Sequence, residues 1–117
     1  SPVNPTPIGA LTHESFTGTL PVGGTRFYSF TIAKEGPVLF TLLSLCVANA
    51  EVTDKVVLGV GTPLGTGCSL RNSVTTGSGP NAQFQSQLTP AVYCVQIGDG
   101  GTLPAPAAFA INITRPQ

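Results

Sequence analysis

The chain has 117 residues, a formal net charge of zero, and only 9% charged side chains, against roughly 25% in an ordinary soluble domain. That length holds one domain, and the charge balance excludes an electrostatic nucleic-acid binder and an acidic disordered tail. Fourteen glycines and eleven prolines, with abundant threonine, exclude a mostly helical fold.

Residues 1–12 read as an extended, proline-rich arm, with Pro2, Pro5 and Pro7 pre-setting a polyproline-like course. Val3 and Ile8 are its apolar anchors. Residues 13–117 form the folded domain. Short strands punctuated by turns are expected at 14–20, 26–33, 38–47, 55–61, 82–88, 91–97 and 107–114. Residues 62–81 read as one long Gly/Ser/Thr-rich connection. The hydrophobic period is two wherever it is legible: Tyr28, Phe30 and Ile32 share one face, as do Phe109, Ile111 and Ile113. About seven short strands predict an all-β fold, a single antiparallel β-sandwich of jelly-roll or immunoglobulin-like type, with a small barrel as the alternative. Val38–Val47 is apolar on both faces. Either a loop folds over its outer side or another protein surface covers it.

Constellations for catalysis do not assemble. The only histidine is His13, no GxSxG surrounds any serine, and the five acids are scattered. Gly59-Val60-Gly61-Thr62-Pro63-Leu64-Gly65 runs into more loop rather than opening a helix, so it is not a nucleotide fingerprint. Asp99, in Gly98-Asp99-Gly100-Gly101, reads as a turn aspartate rather than a calcium ligand. The chain is therefore expected to be non-enzymatic, with no cofactor and no metal. Asn112-Ile113-Thr114 matches the N-glycosylation sequon, with Asn112 on the outward side of its strand.

Three cysteines, without a CxxC or a Cys/His cluster, point to an oxidising compartment and one disulfide. Cys68 and Cys94 are the expected pair, because a glycine-rich loop lets Cys68 reach the strand that carries Cys94. Cys46–Cys94 is the competing pair. Cys46 is then left as a buried thiol or as a covalent link between subunits. No apolar run is long enough for a membrane helix. A start at Ser1-Pro2-Val3 reads as a mature product after signal-peptide removal, hence extracellular or on the cell surface.

From residue 12 onward the order of motifs resembles the bacterial pre-peptidase C-terminal domain and its secreted relatives. The matching stretches are Phe16-Thr17-Gly18-Thr19-Leu20, Arg26-Phe27-Tyr28-Ser29-Phe30-Thr31, Gly36-Pro37-Val38, Leu88-Thr89-Pro90-Ala91-Val92-Tyr93-Cys94-Val95 and Phe109–Thr114. The resemblance implies a jelly-roll-like sandwich on exported proteins, non-catalytic, serving as an accessory module that binds polymers or aids secretion. Some members hold calcium through clustered acids; this chain lacks that cluster. Tyr93, just past a proline corner, is placed to bury its ring and return its hydroxyl to the backbone.

Two functions follow. One is a structural subunit that polymerises with itself outside the cell, its N-terminal arm lying in a neighbour's groove with partial backbone pairing, since each proline removes a donor. The other is a free-standing binding module for carbohydrate or protein.

Overall fold

The computed structural model describes residues 11–116, with no helix and nine strands. In chain order these are β1 (Leu11–Leu20), β2 (Thr25–Ile32), β3 (Gly36–Val47), β4 (Ala50–Glu51), β5 (Val56–Leu64), β6 (Gly67–Thr76), β7 (Phe84–Leu88), β8 (Ala91–Gly98) and β9 (Ala107–Pro116). They form two packed antiparallel sheets, a β-sandwich. One sheet runs β1-β9-β3, with β4 and β7 both lying along the far side of β3; the other runs β2-β8-β5-β6.

Alternation builds the core. Val56, Leu58 and Val60 of β5, Tyr93, Val95 and Ile97 of β8, and Phe109, Ile111 and Ile113 of β9 are all buried between the sheets. The Phe30 ring from β2 lies edge-on to Phe40 of the opposite sheet, centroids 6.0 Å apart. Phe40 stacks in turn on Phe84 at 4.6 Å.

The doubly apolar strand has a local explanation. The register of β3 against β9 shifts between Leu42 and Ser44, which makes Leu43 a bulge residue. The shift resets the alternation, so Val38, Phe40, Leu42 and Leu45 all point inward although Leu42 and Leu45 are three apart. Leu43 is left 42% exposed. The phase change thus accounts for Leu42 and Leu45 facing the same way, while Leu39, Leu43 and Cys46 remain as the apolar residues outside the inward set.

The other edge of β3 is closed piecewise. β7 pairs with Gly36–Phe40 and β4 with Cys46 and Val47. Across the gap, the Gln83 side chain imitates a strand: its Oε1 accepts from Leu42 N at 2.7 Å and its Nε2 donates to Leu42 O at 3.1 Å. Glu51 Oε2 accepts from Leu45 N, and Val52 N donates to Leu45 O. These bonds saturate backbone groups that would otherwise stay open.

Two expectations change. Residues 62–81 are not one connection, because β5 extends to Leu64 and β6 takes up most of the remainder. β6 is an edge strand whose side chains are largely exposed, so it carries no strong hydrophobic alternation. The strand total rises from about seven to nine, with the two-residue β4 as the other addition. Its hairpin turns on Ala48 and Asn49, both at positive φ (51° and 66°), a type I′ pattern without the usual glycine. Thr12 pairs with Arg115 inside β1, so residues 11 and 12 belong to the sandwich rather than to an arm.

Tyr93 behaves as its position suggested. Its ring is buried, and its hydroxyl donates to Thr89 O at 2.8 Å, four residues back. Tyr93→Phe is expected to lower unfolding free energy by about 1–2 kcal/mol through the orphaned carbonyl. Denaturant titration would show a lower midpoint with an unchanged slope.

Candidate functional site

Each outward face can be read from the strand registers. On the first sheet the outward positions are His13, Ser15, Thr17 and Thr19 of β1, facing Thr114, Asn112, Ala110 and Ala108 of β9. Beyond β9 stand Leu39, Thr41, Ser44 and Cys46 of β3. On the second sheet Phe27 faces Gln96, Ser29 faces Cys94, and Thr31 faces Val92. None of these positions is Asp, Glu, Lys or Arg. β3, β5, β7 and β8 hold no charged residue at all.

The charged groups sit at the rims and turns. Glu14 and Arg115 pair with each other where β1 and β9 lie side by side near the chain ends. Glu51 is bound to the Leu45 amide. Arg71 falls at the β6 bulge, where the register against β5 shifts between Val60 and Gly61. A Cβ at Gly61 would lie 1.8 Å from Ser69 O, so only glycine permits the close crossing of backbones at that bulge.

That crossing places Cys68 of β6 against Cys94 of β8. The two form a disulfide, Cα atoms 6.0 Å apart, across the intervening end of β5. Cys94 points away from the core and is fully buried beneath this bridge. Cys46 is free and half-buried. It lies on the outward side of the opposite sheet, so the whole sandwich separates it from Cys94, and the competing pair does not form.

His13 Nδ1 is hydrogen-bonded to Thr114 Oγ1 at 2.9 Å. Asn112 is outward and half-buried in the inner strand β9, its Oδ1 accepting from Ser15 Oγ at 3.4 Å. Among the described residues no three His, Cys, Asp or Glu side chains converge as a metal site would need. Val3, Pro5, Pro7 and Ile8 lie outside the described residues.

Sequence reading did not separate out the free backbone edges. β1 and β2 lie together on one side of the sandwich, tied by stacked Phe16 and Tyr28 rings at 5.0 Å. Tyr28 Oη donates to Thr17 O at 3.2 Å. Gly18 makes room for this hydroxyl, since a Cβ there would sit 2.4 Å from it. Among the described residues, β1 pairs only with β9, β2 only with β8, and β6 only with β5.

Asp99 anchors the loops at one end. Oδ2 accepts from Gly23 N at 2.7 Å, and Oδ1 from Gly101, Thr102 and Leu103 N. The Gly23 bond, reinforced by the other three, holds this carboxyl below its ordinary range despite some opposing desolvation.

No family model matches the chain, and no curated protein or solved structure does either.

Two predictions follow from these bonds. A depressed carboxyl pKa contributes stability above the unfolded value, near 3.9, and that stability is lost as pH falls through the folded value. Asp99→Asn should therefore flatten the acid limb of stability below about pH 4; denaturation midpoints between acid and neutral pH would report it. Replacing both Cys68 and Cys94 by Ala opens a cross-link spanning 26 residues. The loss should be about 3–4 kcal/mol, measured against the oxidised protein by urea unfolding.

Proposed function

We propose that the chain is a non-enzymatic, secreted structural subunit that assembles with copies of itself into an extracellular filament or surface array. The observation that carries this reading is the distribution of charge: the outward positions of β1, β9 and β3, and those of β2 against β8, hold no Asp, Glu, Lys or Arg, and on the second sheet Arg71 is set at the β6 edge. Charge on a soluble monomer's surface normally prevents such faces and edges from associating. Here the long edge strand β1 contains neither lysine, proline nor a bulge, whereas the other long edge, β6, is blunted by its bulge and Arg71. The Cys68–Cys94 bridge is compatible with an oxidising, extracellular setting.

The other reading, a pre-peptidase C-terminal-like module for carbohydrate or protein, draws on Phe27 beside Gln96, an aromatic ring and an amide on one outward face. A single ring gives a small platform, and the charge-free face opposite has no part in that reading.

Negative-stain microscopy and light scattering over a concentration series decide between them. Regular polymers are expected. Ala108→Lys, which puts a cation on an exposed outward position of β9, should suppress them while leaving the unfolding midpoint nearly unchanged. A monodisperse species of 11.9 kDa at every concentration would overturn assembly in favour of the module.

A further inference from the structure

We propose that residues 4–8 of one chain add as an extra strand to the free edge of β1 in a neighbouring copy, with Pro5 and Pro7 turned away from that edge. This rests on the assembly reading and names the contact through which it runs.

The edge itself is the first observation. β1 keeps unbroken register with β9 over all ten of its residues, from Leu11 opposite Pro116 to Leu20 opposite Ala107. It contains no proline, lysine or bulge, and among the described residues no strand pairs along its other side, where Tyr28 of β2 takes a single carbonyl, Thr17 O. Edges guarded at so few points attract strands.

The phase of the edge is the second. In an antiparallel pair, alternate residues direct both backbone groups to the partner and the rest direct both away. Thr17 O accepts the Tyr28 hydroxyl, as an outward-directed carbonyl would. The His13–Thr114 and Ser15–Asn112 side-chain bonds are those of close pairs that share no backbone bonds. His13, Ser15 and Thr19 therefore present free donors and acceptors, and Thr17 its N–H, its carbonyl being taken by Tyr28.

The third is the parity of the prolines. In an extended segment, Asn4, Thr6 and Ile8 fall on one side and Val3, Pro5 and Pro7 on the other. The first side keeps every N–H and C=O from Asn4 to Ile8. Pro2 shares its parity and ends the ladder there. The second side lacks two donors, where none is needed, and leaves an edge that cannot recruit a further strand. Three prolines each remove a donor, but the spacing of Pro5 and Pro7 leaves one side intact.

The test uses the full chain. Hydrogen–deuterium exchange over β1 is followed by mass spectrometry as concentration rises, beside Thr6→Pro and Pro5→Ala. In the parent, β1 exchange should slow by about tenfold or more on assembly. Thr6→Pro, which removes the central donor on the pairing side, should abolish both protection and assembly, whereas Pro5→Ala should preserve both. Normal polymers of Thr6→Pro with fast β1 exchange would overturn this contact and leave assembly standing. Protection independent of concentration but lost in Thr6→Pro would mean closure onto the same chain's β1 by a turn at Gly9-Ala10, which also overturns it. Monomers with fast β1 exchange throughout would overturn both the contact and the assembly reading.

Discussion

Phe30 stands 6.0 Å from Phe40 in the opposite sheet and 6.0 Å from Tyr93 on the strand beside it, and this aromatic row sets how the two sheets face each other. Phe84 extends the row across β7. Rings of this size dominate the buried area and resist sliding, because offset and edge-on contacts hold only over a narrow range of positions. With the row in place, β3 must present Phe40 inward. The bulge at Leu43 then follows, since without it Leu45 would face outward and a polar Ser44 would enter the core.

The backbone imposes a second requirement, which the molecule meets unevenly. Along β3 nearly every group is saturated, by β7, by β4, and by the Gln83 and Glu51 side chains between them. At one end Asp99 gathers four amides onto one carboxylate and so joins the β1–β2 turn to the β8–β9 loop. The disulfide binds the twisted end of the β5–β6 hairpin to β8. Against this economy the largely open edge of β1 and the sparsely charged outward faces stand apart. The few charged side chains are used in turns, rims and edge repairs. In the reading proposed here the faces and edges left over are where copies meet, and the sandwich supplies their rigidity.

Much of the fold was legible locally. Period-two alternation at Tyr28–Ile32 and Phe109–Ile113 located strands, the glycine and proline pairs located turns, and the proline corner before Tyr93 located its hydroxyl bond, because each signal acts over a few residues. The Cys68–Cys94 pair was expected too, but by way of a flexible loop; the structure instead brings Cys68 to Cys94 on the paired strand β6. β6 was not, since an edge strand with mostly exposed side chains leaves little hydrophobic pattern, and neither was β4, which is only two residues long.

By itself the sequence determined the all-β class of fold and the scarcity of charge, and it favoured Cys68–Cys94 while leaving Cys46–Cys94 open. Only the tertiary structure decided where that scarcity falls. The absence of Asp, Glu, Lys and Arg from the outward positions of β1, β9 and β3 depends on registers between strands far apart in the chain, such as Ser15 with Asn112 and Thr41 with the same asparagine. The bulge at Leu43 depends on competition between the β9 ladder and the aromatic row. The free edge of β1 exists because β9, the last strand, takes its other side. These are long-range pairings, set by which surfaces the whole chain can bury together, and no local pattern encodes them.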